Sequence, residues 1–132
     1  MPNNKKYAQW FAKAGEDELS LQSDLKHKDG APSSACFLAQ QMTEKYLKGL
    51  LVFKDIPFQK THDLVELAKL IFTAEKIETL RSGLENLTEL YVETRYPGDF
   101  PVFSWQEVET ASLFAFRMKE LIMQEMSEIF GV

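Results

Sequence analysis

Four polar residues of one predicted helix could form a common chemical surface. At about 100° per residue, a helical wheel places Gln41, Glu44, Lys45 and Lys48 within one arc of about 100°. Apolar residues occupy or border the same arc one turn earlier and one turn later. We therefore interpret this patch as partly enclosed, in a groove or an interface. The alternative is an exposed Glu44–Lys48 pair spaced i to i+4, which is common on solvated helices.

Arg95 is a further charged residue in an unexpected place. It continues an apolar stripe of a predicted helix, four residues beyond Tyr91 and eight beyond Leu87. A guanidinium that points into a bundle needs a partner, because an unpaired buried charge costs several kcal/mol. Glu44 is a candidate partner within the chain, and a phosphate is a candidate ligand because the guanidinium fork matches its oxygens. Alternatively, the helix ends before Arg95 and the side chain is solvated.

His62 lies close to a predicted helix start. Thr61 is the expected N-cap of a short helix, so His62 would stand in the first turn. Backbone N–H groups and the helix dipole favour anions there, and the imidazole could add a donor. The alternative, equally compatible with the spacing, is a histidine that packs against the loop after Pro57.

Composition and spacing exclude several other kinds of site. The six glycines are too far apart for a dinucleotide motif or a P-loop. His27 and His62 belong to no Glu-x-x-His or His-Glu-x-x-His motif, so we expect neither a metal nor a cofactor. The single Cys36 is interpreted as a small buried apolar residue rather than a nucleophile. The net charge of −5 argues against strong general binding of nucleic acids, so any nucleotide contact must be local.

The elements that must position these residues are helices. Apolar residues recur every three or four positions, and prolines and glycines stand where periodic segments end. We predict helices over residues 5–27, 33–54, 75–94 and 104–130 and a short helix after Thr61, with a capping box of Ser104 and Glu107 opening the last one. The pattern predicts an all-α fold, an up-and-down antiparallel bundle of four to five helices, as a single domain over residues 1–132.

The segments outside this pattern carry no targeting signal. No stretch resembles a signal peptide or is long and apolar enough to cross a bilayer, so we expect a soluble, cytoplasmic protein without membrane contact. Lys5, Lys6 and Lys13 are interpreted as a solvated face. The second and fifth helices should supply most of the core. The residues expected to be buried are Trp10, Phe11, Phe37, Leu47, Leu50, Leu84, Leu87, Ala115 and Ile122.

Three short segments, in this order, carry a resemblance to a known family. They are Gln41–Lys48 (QMTEKYLK), Thr61–Leu64 (THDL) and Arg95–Pro97 (RYP), preceded by Trp10, Ala14 and Asp17 in the first helix. Together these residues extend over most of the chain. In this order they make the chain similar to the HEPN family of small helical proteins. The resemblance implies a helical bundle that often dimerises, and a role in nucleotide binding.

The form that the motif beginning at Arg95 takes in this chain implies one branch of that family. Many members resemble metal-independent endoribonucleases in which a histidine follows an arginine after four to six residues. No histidine follows Arg95 at that spacing, so the expected general acid or base is missing. Arg95 with Tyr96 and Pro97 instead resembles the branch associated with minimal nucleotidyltransferases in toxin-antitoxin or resistance-like systems.

These observations favour a binding module without catalytic activity. The hypothesis assigns phosphate contacts to Arg95, Lys45 and Lys48, base stacking to Tyr91 or Tyr96, and polar contacts to His62 and Glu44. The ligand would be a mononucleotide, and the partners a second copy of the chain and a nucleotidyltransferase subunit. One alternative is an endoribonuclease in which His62 replaces the missing histidine. Another is a purely structural dimeric adaptor with an ion-paired interface.

Overall fold

A computed structural model describes residues 5–94 and 102–130. These residues form five helices, and no strand occurs in the described ranges. The helices are α1 (Lys5–His27), α2 (Pro32–Phe53), α3 (Leu64–Lys69), α4 (Ala74–Glu93) and α5 (Trp105–Phe130). The predicted all-α bundle is therefore confirmed, with the bounds of the long helices within one residue of those expected.

Local interactions explain where three of the helices begin. Pro32 occupies the first turn of α2, where its missing N–H costs nothing. Thr73 caps α4 by accepting a hydrogen bond from the backbone N–H of Lys76. At the start of α5 the Ser104 hydroxyl accepts from the Glu107 N–H, and the Glu107 carboxylate accepts from the Ser104 N–H at 3.1 Å. This is the capping box that the sequence predicted.

The start of α3 differs from the expectation. Asp63, not Thr61, is the N-cap, because its carboxylate accepts from the N–H groups of Val65 and Glu66. Thr61 accepts from the Asp63 N–H at 3.0 Å and so shapes the preceding turn. A charged carboxylate complements the positive helix end better than a hydroxyl does. His62 consequently lies in the loop before α3, and its placement in the first helical turn was wrong.

Helix α2 occupies the centre of the bundle and contacts each of the other four helices. The pairs Lys45–Asp17 and Phe53–Tyr7 show that α1 runs antiparallel to it. Residues on all sides of α2 are therefore buried, which explains its high apolar content. Helices α2 and α5 together supply more than half of the buried apolar residues in the described part of the chain, so the expectation that these two helices form most of the core is confirmed.

Most of the expected core residues are buried, and the aromatic ones lie nearer its rim. Trp10, Phe11 and Phe37 are only half-buried. The fully buried members of the set are Leu47, Leu50, Leu84, Leu87, Ala115 and Ile122. None of the helices in the described ranges combines the length and apolarity that a membrane crossing requires.

Candidate ligand-binding site

Glu44 is the centre of a buried polar cluster between α2 and the loop before α3. Its side chain is 5% exposed, and three donors surround its carboxylate. Gln40 Nε2 donates to Oε1 at 2.9 Å, Lys48 Nζ to Oε2 at 3.0 Å, and His62 Nδ1 lies 3.0 Å from Oε1. A buried carboxylate is tolerated only when its oxygens are satisfied in this way.

Lys48 is enclosed together with its partner. Its side chain is 7% exposed, and its ammonium lies 5.6 Å from the centroid of the Trp10 ring, within reach of a cation–π interaction. The spacing of four residues on α2 brings it over Glu44. The partly enclosed interpretation of the patch therefore holds for Glu44 and Lys48, and the alternative of a solvent-exposed pair is wrong.

His62 connects this cluster to α4. Its ring stacks on Tyr91, with centroids 3.8 Å apart and planes 17° from parallel, and Tyr91 in turn lies beside Phe37. The side chain remains 45% exposed. Because an ionised carboxylate only accepts hydrogen bonds, Nδ1 is the donor to Glu44 and Nε2 is left as the second ring nitrogen. The imidazole is thus oriented by Glu44 and partly open to solvent.

The loop that carries His62 is held by α4. The backbone N–H of Leu64 donates to the Thr88 hydroxyl at 3.1 Å, and that hydroxyl donates to the Leu84 carbonyl. This contact fixes the start of α3 against the same helix that supplies Tyr91. Two separate elements, the loop and α4, therefore bring His62 and Tyr91 to Glu44.

Lys45 does not join the cluster. Its ammonium contacts Asp17 of α1 at 2.6 Å, and both side chains are largely buried. Gln41 donates instead to the neighbouring Gln40. The wheel placed these residues on one arc, but α1 packs over one edge of that arc. Of the seven predicted site residues, the structure brings together Glu44, Lys48, His62 and Tyr91.

Arg95 and Tyr96 lie outside the described residues. The expected contact between Arg95 and Glu44 therefore stays a prediction. In the described part of the chain, Glu44 already has Gln40, Lys48 and His62 as partners.

Sequence reasoning missed Gln40, Trp10 and a second polar cluster. In that cluster Glu18 of α1 accepts hydrogen bonds from the Tyr46 hydroxyl at 2.7 Å and from Lys119 at 2.9 Å. Burial, followed by the bond to Glu18, raises the pKa of Tyr46. One feature of the sequence indicates this second cluster, because Glu18 interrupts the apolar stripe of α1. This cluster ties α1 to α2 and α5.

Cys36 is fully buried, as expected of a structural residue. Burial, and to a smaller extent the charge of Glu107, raise the pKa of its thiol to about 11. At pH 8 the thiolate fraction is then about a hundredfold smaller than that of an ordinary thiol. We expect the native protein to react with a thiol reagent at least about a hundredfold more slowly than the protein unfolded in guanidinium. Absorbance-monitored labelling tests this, and equal rates would contradict it.

The described residues hold no group of three or more histidine, cysteine or acidic side chains that could bind a metal ion. The side chains that could interact with a ligand are the His62 imidazole oriented by Glu44, the buried Lys48 ammonium, and the rings of Tyr91 and Phe37. Such a set can bind an anionic ligand with an aromatic part.

Comparisons with known proteins agree with this architecture. A family model described as "HEPN domain" matches residues 7–126. The crystal structure of TT1696 from Thermus thermophilus is similar, with a TM-score of 0.72 and 24% identity over 91% of this chain and 98% of that one. The crystal structure of ST0689, an archaeal HEPN homologue, gives a TM-score of 0.71 and 23% identity over 90% and 96% of the two chains. No curated protein matches the chain.

Proposed function

Since this chain belongs to the HEPN domain family, we propose that it is a non-catalytic module that binds a nucleotide at the Glu44 cluster. The observation that supports this most is the orientation of His62 by a buried carboxylate, beside Lys48 and stacked on Tyr91. The cluster places a ring nitrogen next to stacked aromatic side chains. In a nucleotide, the phosphate accepts hydrogen bonds from a nitrogen donor, and the base stacks on aromatic side chains.

The charges of the cluster suit an anion. Glu44 and Lys48 neutralise each other within the protein, so the carboxylate does not repel a ligand as an isolated charge would. His62 is the exposed contact, and the buried Lys48 ammonium is bonded to the same carboxylate. Arg95 follows Tyr91 by four residues in the sequence. We assign to Arg95 the bidentate phosphate contact and to Tyr91 or Tyr96 the contact with the base.

Arg95→Ala and His62→Ala should each weaken the binding of a mononucleotide. The loss of one charge-assisted hydrogen bond, about 1.5 to 3 kcal/mol, corresponds to an affinity roughly 10- to 150-fold lower. Isothermal titration calorimetry with adenosine and guanosine phosphates measures this. Lys26→Ala serves as the control, because Lys26 is exposed in the last turn of α1, away from the cluster. Unchanged affinity in both site variants, with the fold intact by circular dichroism, would refute the site.

The second part of the proposal concerns partners. The motif beginning at Arg95 supports a role beside a minimal nucleotidyltransferase, in a toxin-antitoxin or resistance-like system and in a homodimeric form. Co-expression with a nucleotidyltransferase encoded next to this gene, followed by co-purification, tests that association.

An endoribonuclease is a second candidate, and one observation favours it. A carboxylate that orients an imidazole through Nδ1 and leaves Nε2 available is a common arrangement for general acid or base catalysis. His62 would then replace the histidine that is absent after Arg95. Purified protein should in that case cleave RNA without added metal, and His62→Ala should abolish cleavage. No cleavage by the wild type would leave the binding module as the better proposal.

A further inference from the structure

A groove lies along α1, with one lining residue from α2. It has a volume of about 570 Å³, and most of its lining comes from one stripe of α1. The stripe has helical spacing i, i+3, i+4, i+7, so its side chains share one face. The residues are Lys6, Gln9, Trp10 and Lys13, with Glu16 of α1 and Lys45 of α2 at the edge.

The groove is locally basic in a chain of net charge −5. Three lysines and one glutamate line it. Lys45 is engaged by Asp17, whereas Lys13 forms only an exposed pair with Glu16 at 3.3 Å, both side chains being more than 65% exposed. Lys6 forms no ion pair with any residue that the structure describes. Because exposed pairs contribute little, Lys6 and Lys13 can both turn to an anionic ligand.

Trp10 joins this groove to the Glu44 cluster. The Lys48 ammonium that lies 5.6 Å from the Trp10 ring centroid is the one bonded to Glu44 at 3.0 Å. The Lys48 side chain therefore contacts both Trp10 and Glu44. A ligand of more than one unit could occupy both the groove and the Glu44 cluster.

We propose that this groove is a subsite for a short single-stranded oligonucleotide, with a base on Trp10 and backbone phosphates beside Lys6 and Lys13. The inference rests on the proposed nucleotide site and extends it by one or two nucleotides. An open groove with one aromatic ring between flexible cations suits stacking and backbone neutralisation, which tolerate any base sequence. Its small charge is consistent with a local contact rather than with general nucleic-acid binding.

The chain contains two tryptophans, Trp10 and Trp105, which makes the subsite observable. In a Trp105→Phe background, Trp10 is the only tryptophan and reports directly on the groove. We expect a uridine hexanucleotide to quench its fluorescence and to bind about tenfold or more tightly than uridine monophosphate, because stacking adds to the affinity. Trp10→Leu in the wild-type background should lose most of that length-dependent gain, because it removes the aromatic ring.

A charge reversal tests the phosphate contacts. Lys6→Glu/Lys13→Glu should weaken hexanucleotide binding by tenfold or more and lower the slope of log affinity against log salt by about 1.4, or about 0.7 for each phosphate that is no longer neutralised. Lys26→Glu/Arg117→Glu is the matched control, since it makes the same change of net charge at exposed positions outside the groove. Equal effects of the two double variants would overturn the subsite.

The outcomes separate this inference from the proposed function. If the mononucleotide binds through Arg95 and His62 but the hexanucleotide binds no more tightly, the groove is not a subsite and the Glu44 site stands. If the hexanucleotide quenches Trp10 while the mononucleotide does not bind, the groove stands and the Glu44 site fails. Equal quenching by poly-glutamate would show that the groove accepts any acidic chain, which contradicts base stacking.

Discussion

Glu44→Ala should destabilise the fold by about 3 to 5 kcal/mol, because it removes one partner of a buried ion pair. Lys48, whose side chain is only 7% exposed, would lose its carboxylate partner. Gln40, which is fully buried, would lose the acceptor of its amide. Urea unfolding followed by circular dichroism measures the change in the free energy of unfolding.

A double variant distinguishes the ion pair from simple packing. Glu44→Met/Lys48→Met removes both charges at similar volume, so part of the lost stability should return. A residual loss of about 1 to 3 kcal/mol is expected, because the buried Gln40 amide still lacks its acceptor. Glu78→Ala is the control. The Glu78 side chain pairs with Arg81 but is 70% exposed, so this substitution should change the free energy of unfolding by less than about 1 kcal/mol. A double variant as unstable as Glu44→Ala would refute this account.

Alanine at two glycines of the α1–α2 pair should change stability in opposite directions. At Gly49 of α2 an added Cβ would lie 2.5 Å from the Phe11 ring and 3.2 Å from the Trp10 Cβ. The Phe11 ring or one of the two helices must then shift, so we expect Gly49→Ala to destabilise the fold by about 1 to 3 kcal/mol despite the better helix propensity of alanine.

Gly15 is the matched control within α1. No atom lies within 4 Å of a Cβ built there, and the position is inside a helix. Gly15→Ala should therefore stabilise the protein by about 0.5 to 1 kcal/mol through the lower entropy of the unfolded chain. Midpoints of urea unfolding for the two variants should fall on opposite sides of the wild-type value. A stabilised Gly49→Ala variant would show that α1 and α2 are less closely packed than the structure indicates.

Helix positions could be predicted from the sequence because the interactions that set them are local. The capping box joins Ser104 and Glu107, which are three residues apart. The proline at the start of α2 acts through its own backbone. The exception was α3, where Thr61 and Asp63 are both good caps and only two residues apart. The choice between them depends on how the preceding loop is held, including the bond from Leu64 to Thr88 of α4.

The candidate site was determined by the sequence only in part. Helix geometry by itself brings Lys48 over Glu44, and the apolar residues around the pair indicated that it is enclosed. A helical wheel gives the direction of a side chain and not its neighbour, so it could not show that Lys45 turns to Asp17. Nor could it show that His62, eighteen positions after Glu44, reaches that carboxylate and stacks on Tyr91. Those contacts join separate elements, and they form only when the packing of α1, α2 and α4 and the loop before α3 brings the side chains together.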